Sequence, residues 1–182
     1  MQKSVTFGNI KSLFKAGLVA AAAAGALAGA QAATNTTTFL VKLVITESCT
    51  ISTPAATDVD FGSQVRATAA VNVNVTGTLN VNCSAGTSYT VGLNGGTNTT
   101  GTIGAPTAGQ RRMKLTTANT YVPYELYQVA GGTTFWGNTA GTNTVAGTGT
   151  GTAVPLSVYG KVTSVNFPAG SYEDTVTATI TY

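Results

Sequence analysis

Strict alternation of apolar and polar side chains is the feature that most constrains how this chain can fold. It is clearest between residues 71 and 83, where the odd positions are Val71, Val73, Val75, Gly77, Leu79, Val81 and Cys83. The even positions of the same stretch carry only asparagine and threonine. Because successive side chains of a strand point to opposite faces, this pattern predicts one long half-buried strand, or two abutting ones.

The end of the chain repeats the alternation. One face carries Tyr172, Val176, Ala178, Ile180 and Tyr182, with Asp174 as the exception, and threonines fill the other face. Further strands are predicted at 88–93, 122–129 and 154–162, separated by glycine and asparagine clusters. Short strands with regular turn signals and no amphipathic helix after residue 32 predict an all-β sandwich.

Two segments, 97–110 and 137–152, are rich in glycine and threonine. They are predicted to be solvated hairpin loops, and a contact surface between subunits is the alternative.

The start of the chain has the order of a secretory signal peptide. Three lysines precede an apolar run at 16–28, and the small-residue triplet Ala30-Gln31-Ala32 follows. This order predicts a signal at 1–32, export from the cell, and a single domain in the remaining residues. Those residues carry six basic and six acidic side chains, which gives no reason to expect nucleic acid or an anionic membrane as a partner.

Two cysteines, Cys49 and Cys83, lie after the predicted signal. An even count in an exported chain indicates a disulfide. Two cysteines without any histidine would make a poor zinc site, and no cofactor is expected.

The first segment after the signal also alternates. Phe39, Val41, Leu43 and Ile45 share one face, and the polar segment 34–38 precedes them. This predicts a strand at the very beginning of the exported chain. From composition alone, the simplest interpretation is an ordinary first strand paired within its own domain.

The sequence resembles the spore coat U domain family, which includes major subunits of archaic chaperone–usher pili. The resemblance covers nearly all of 39–182, and it depends on short motifs in a fixed order. These are 39–45 followed by Cys49-Thr50-Ile51, Asp60-Phe61-Gly62, Asn80-Val81-Asn82-Cys83, Tyr124-Glu125-Leu126-Tyr127, Phe135-Trp136-Gly137, Val158-Tyr159-Gly160-Lys161-Val162 and the run 169–176.

The resemblance implies an immunoglobulin-like sandwich that lacks its last strand and is completed by donor-strand complementation. A periplasmic chaperone, and then the N-terminal extension of the next subunit at the outer-membrane usher, would supply the missing strand. By position, 33–45 is the donor extension, with Phe39, Val41, Leu43 and Ile45 as donor residues, and 46–182 is the pilin domain. The accepting edge is the C-terminal strand with Tyr172, Val176, Ala178, Ile180 and Tyr182. The implied function is a subunit of a surface pilus that supports attachment and biofilm formation.

Other classes of function have less support from the residues. Asp58 and Asp60 could share a face for glycoside hydrolysis or calcium binding, but a solvated turn is the simpler interpretation. The aromatic residues Tyr121, Tyr124, Phe135 and Trp136 could form a sugar platform, although aromatics at strand spacing usually belong to a core. A coat component of the same family is a further alternative. The cluster Arg111, Arg112 and Lys114 is expected to be a solvated hairpin, with a salt-sensitive contact as the alternative.

Overall fold

A computed structural model describes residues 32–52 and 56–182. The predicted signal peptide therefore lies outside the described residues, except for Ala32. The chain divides into two units, Met1–Lys42 and Leu43–Tyr182. In the first unit, residues 32–42 are exposed and belong to no strand. Among the described residues, no helix is long and apolar enough to cross a membrane.

The described part of the second unit contains ten strands and no helix. They are β1 (Cys49–Ile51), β2 (Val73–Cys83), β3 (Ser88–Leu93), β4 (Arg112–Leu115), β5 (Tyr121–Pro123), β6 (Glu125–Tyr127), β7 (Val145–Thr148), β8 (Val154–Val162), β9 (Tyr172–Glu173) and β10 (Ala178–Thr181).

These strands form three antiparallel sheets. The first has the order β1-β2-β8-β6, the second β10-β3-β7 and the third β5-β4-β9. The longest ladder joins β2 to β8, from Val73 opposite Val162 to Val81 opposite Val154. The fold is an all-β sandwich, as the alternation predicted.

The core lies where the inward faces of the sheets meet. Its buried members include Val81, Tyr89, Val91, Leu126, Trp136, Val158 and Val162. Trp136 is fully buried, and its indole Nε1 donates a hydrogen bond of 2.9 Å to the carbonyl oxygen of Val91. A buried indole N–H needs such a partner, so this bond fixes the loop before β7 against β3.

Three of the predicted strands lie where alternation placed them. β3 and β8 match 88–93 and 154–162, and β2 begins two residues inside the predicted start. The single strand predicted at 122–129 is wrong, because the chain changes sheets at Tyr124. β5 pairs with β4, whereas β6 pairs with β8.

Two further predictions need correction. The predicted loop 137–152 contains β7, which pairs with β3 from Val145 opposite Val91 to Thr148 opposite Ser88. The interpretation of 39–45 as an ordinary first strand of its own domain is also wrong, because residues 32–48 belong to no strand in the structure. The segment 97–110 contains no strand, as expected of a loop.

The segment between β1 and β2 crosses the first sheet over two glycines. Thr57 forms an isolated bridge with Thr78. A Cβ on Gly77 would lie 2.8 Å from Val59, and a Cβ on Gly160 would overlap Val59 and meet Phe61 at 3.0 Å. The absence of side chains at Gly77 and Gly160 therefore allows Val59 and Phe61 to pack against the core.

Candidate functional site

The outer edge of β10 is open. In the described residues β10 pairs only with β3, with Ala178 opposite Leu93 and Ile180 opposite Val91. Ala178 and Ile180 are half-buried and pack against the core, while Thr179 and Thr181 are exposed. The unpaired side of β10 therefore presents main-chain groups that another strand can bind.

A second open edge lies beside the first. β1 is the last strand of the first sheet, pairs only with β2 among the described residues, and approaches β10 to within 8 Å between Cα atoms. Its residues Cys49 and Ile51 are half-buried against the core. The half-buried apolar side chains of β1 and β10 therefore lie near one another along two unpaired strand edges. We call these two neighbouring edges of β1 and β10 the acceptor edge.

The structure divides the residues that were predicted to share the accepting strand. Ala178 and Ile180 lie in β10, and Val176 precedes it outside any strand. Tyr172 lies in β9, pairs with Leu115 of β4, and donates its hydroxyl to the carbonyl oxygen of Pro168 at 2.8 Å. Tyr182 follows β10 and is 59% exposed. The predicted single strand 172–182 is therefore two strands in two sheets.

Asp174 causes this division. It accepts hydrogen bonds from the hydroxyl of Tyr124 at 2.7 Å, from Thr97 Oγ1 at 2.9 Å and from the backbone N–H and side-chain amide of Asn98, both at 3.0 Å. Burial and the neighbouring Asp174 carboxylate raise the pKa of Tyr124 well above its ordinary value. Asp174, the polar exception on the apolar face of the C-terminal segment, therefore anchors the chain between β9 and β10.

A buried ion pair lies at the end of β3, the strand that pairs with β10. Arg111 is fully buried, and its Nη2 donates to the carbonyl oxygens of Leu93, Asn94 and Trp136 at 3.1, 2.7 and 2.8 Å. Its Nη1 lies 3.5 Å from Glu125 Oε1. Burial lowers the pKa of Arg111 and raises the pKa of Glu125, since both charged groups have lost water.

The expected solvated basic hairpin is thus wrong for Arg111. Arg112 and Lys114 lie half-buried in β4, and the Arg112 guanidinium stacks 3.9 Å from the ring centroid of Tyr121. Sequence reasoning missed Arg111 because its partners are carbonyl groups from distant segments. No local pattern in the sequence distinguished Arg111 from Arg112 and Lys114.

A cavity of about 590 Å³ lies beside the start of β9. Its lining combines apolar side chains, such as Phe61, Met113 and Tyr172, with the polar side chains of Asp60, Gln64 and Arg66.

The N-terminal segment has the opposite character. Phe39, Val41, Leu43 and Ile45 are each at least 79% exposed, and Leu40 and Val44 are exposed as well. So many large apolar side chains in one exposed run are unusual at a protein surface.

The structure joins Cys49 to Cys83 by a disulfide, and the two residues are direct partners in the β1–β2 ladder. Asp58 and Asp60 are exposed, and Asp60 accepts a hydrogen bond of 2.8 Å from the N–H of Gly62 in a turn. The described residues contain no cluster of three or more potential metal ligands. Trp136 and Tyr124 lie in the core, so these two cannot form an exposed sugar platform.

Comparisons with known proteins agree with this architecture. The Spore Coat Protein U domain matches residues 35–179. Protein U of Myxococcus xanthus is 34% identical over 179 residues, which cover 92% of this chain and 96% of that protein.

Among solved structures, the chain is similar to one in the crystal structure of the CsuC–CsuE chaperone–tip adhesion subunit pre-assembly complex from archaic chaperone-usher Csu pili of Acinetobacter baumannii. The TM-score is 0.52 and the identity 25%, over 76% of this chain. The similarity spans only 40% of the matched chain's length.

The fold and the acceptor edge thus define an all-β sandwich protein with an open edge and an exposed apolar N-terminal segment. The chain belongs to the Spore Coat Protein U domain family.

Proposed function

We propose that this protein is a structural subunit of a chaperone–usher pilus and that it polymerises by donor-strand exchange. Residues 39–45 of one copy would insert between β1 and β10 of the next copy. The observation that carries the proposal is the combination of an open acceptor edge with an exposed segment of matching periodicity in the same chain.

The two features are chemically complementary. A strand added along β10 forms main-chain hydrogen bonds, and every second side chain would point between the sheets. Burying Phe39, Val41, Leu43 and Ile45 would contribute roughly 6–12 kcal/mol of gross hydrophobic free energy. Ordering the segment offsets part of that gain.

The geometry of exchange leads to an open fibre. The donor and the acceptor edge are different surfaces of the chain, so each contact is head-to-tail and leaves a free donor and a free edge at the two ends. Until it is filled, the edge needs protection from aggregation. A periplasmic chaperone would provide it, the outer-membrane usher would be the place of exchange, and the cell surface would be the destination.

The fold-similar structure supports a chaperone as a partner, because it is a chaperone–tip adhesion subunit pre-assembly complex. Attachment and biofilm formation follow as the role of such a fibre. We propose no enzymatic activity, since the acids Asp58 and Asp60 lie in an exposed turn.

The test is a pair of matched variants. Leu43→Asp places a carboxylate on the inserted face, where a buried unpaired charge is costly. Thr46→Asp places the same group on the opposite face of the segment, just beyond the donor residues. We expect export of both variants, loss of fibres by electron microscopy for Leu43→Asp, and normal fibres for Thr46→Asp. Normal fibres from Leu43→Asp would rule out insertion of residue 43.

A coat component of resting cells is the second candidate, because the matching family is the Spore Coat Protein U domain. Strand exchange would serve a coat as well as a pilus. Immunogold labelling separates the two, since a pilus extends from the cell surface whereas a coat forms a continuous layer.

A further inference from the structure

The disulfide lies at the point where the proposed donor segment joins its own domain. Ile45 ends the donor residues, and Cys49 begins β1 only four residues later. In a fibre under tension, the anchored donor would pull on residue 48 of its own chain. The inference that follows rests on the proposed function, because only a donor anchored in another copy transmits such a load.

We propose that the Cys49–Cys83 disulfide is a mechanical clamp, which transfers tension from the donor segment directly to β2 and keeps β1 from peeling away. A disulfide between direct ladder partners places the covalent connection at the first residue of β1. The load therefore reaches β2 before it reaches the hydrogen bonds of β1.

Without the clamp, β1 has little to resist a pull. It has three residues, lies at an edge, and pairs only with Val81, Asn82 and Cys83 of β2 among the described residues. Between Ser52 and β2, the described residues form one isolated bridge, from Thr57 to Thr78. The packing of Val59 and Phe61 against the core and the hydrogen bond from Val71 N to Thr163 O would be the main remaining restraints on this stretch.

β2 is a much stronger anchor. It has eleven residues, lies inside the first sheet, and pairs with β8 along nine register positions from Val73 to Val81. Ser48 and Ser84 reinforce the junction, because Ser84 N donates to Ser48 O at 2.9 Å and Ser48 N donates to Ser84 Oγ at 3.2 Å.

The clamp also protects the acceptor edge of the same copy. β1 forms one side of that edge and comes within 8 Å of β10 between Cα atoms. If tension peeled β1 away, the donor held by this copy would lose the strand on one side of it. With the disulfide intact, tension on a subunit's own donor segment would therefore leave undisturbed the edge at which the same subunit holds its neighbour's donor.

Single-fibre force spectroscopy tests this inference. Assembled fibres are stretched before and after reduction in situ, with the free thiols alkylated and counted by mass spectrometry. Fibres of the Cys49→Ala/Cys83→Ala variant provide a second test that does not depend on access of the reductant. That variant treated with reductant is the matched control and should show no further change.

The expected result is an additional extension step in the reduced and cysteine-free fibres only. Release of residues 50–72, at about 3.3–3.6 Å each, frees about 80 Å of contour length per copy, and the added extension is this length minus the folded distance from Cys49 to Val73. We also expect rupture at lower force. Identical traces for oxidised fibres and for fibres with verified free thiols would overturn the clamp while leaving the pilus proposal intact. Absence of fibres from the unmodified protein would instead refute the proposed function.

Discussion

The hydroxyl of Tyr124 donates a 2.7 Å hydrogen bond to Asp174 Oδ2, and this bond ties the chain that precedes β10 to the turn between β5 and β6. The same carboxylate accepts bonds from Thr97 and Asn98 in the loop after β3. One acidic side chain therefore holds the chain just before β10 in place, which would favour the proposed addition of a donor strand. A pre-ordered edge lowers the entropic cost of adding a strand.

Replacement of Asp174 should weaken both the domain and its acceptor edge. Asp174→Ala leaves the Tyr124 hydroxyl and the Asn98 N–H without their acceptor, which should lower the free energy of unfolding by about 2–3 kcal/mol. Glu173→Ala is the matched control, since Glu173 is an exposed neighbour. Urea unfolding of the purified chains checks this. Equal midpoints for the two variants would contradict the anchoring role.

The buried ion pair should behave as a coupled unit. Glu125→Ala leaves the Arg111 guanidinium buried without a counter-charge, and we expect a loss of about 3–5 kcal/mol. Arg111→Met/Glu125→Ala should cost less than the sum of the two single changes, because the surviving charge no longer lacks its partner. A double-mutant cycle by urea unfolding measures the difference. Strict additivity would show that the two side chains are independent.

The raised pKa of Glu125 predicts the direction in which the stability of the protein changes with pH. Because burial lifts its pKa above the unfolded value, the contribution of Glu125 to stability is largest below the ordinary pKa and is lost as the pH rises through the folded-state pKa. The stability of the unmodified chain relative to Glu125→Gln should therefore increase as the pH falls from 7 towards 4. Unfolding at several pH values measures it. A relative decrease over that range would mean that the pairing with Arg111 dominates.

Gly160 lies under the segment between β1 and β2, and this position should not tolerate a side chain. A Cβ at Gly160 would overlap Val59 and lie 3.0 Å from Phe61, so Gly160→Ala should cost about 1–3 kcal/mol and displace the segment that lines the cavity. Gly104 is the matched control, because a Cβ there would meet no atom within 4 Å. We expect Gly104→Ala to stay within about 0.5 kcal/mol of the unmodified chain. Similar losses for both variants would contradict the close approach.

Period-two alternation predicted the strands that are paired on a regular half-buried face. β2, β3 and β8 follow this rule, and their inward valines and leucines were identifiable from sequence. β7 was missed because Val145–Thr148 has one large apolar residue in a glycine- and threonine-rich setting. The change of sheet at Tyr124 is a tertiary effect, because it depends on the pairing of β5 with β4 and of β6 with β8.

The candidate site was predictable only in part. The alternation identified Ala178 and Ile180 as an apolar face, but it could not assign Tyr172 to another sheet. The roles of Arg111 and Asp174 depend on partners far away in sequence, so no local pattern indicated them.

A cryo-electron microscopy map of the fibre tests the central claim most directly. We expect residues 39–45 of each copy to form a strand hydrogen-bonded to β10 of the adjacent copy, with Phe39, Val41, Leu43 and Ile45 directed between the sheets. A map in which β10 stays unpaired, or in which 39–45 completes the sandwich of its own copy, would contradict the account.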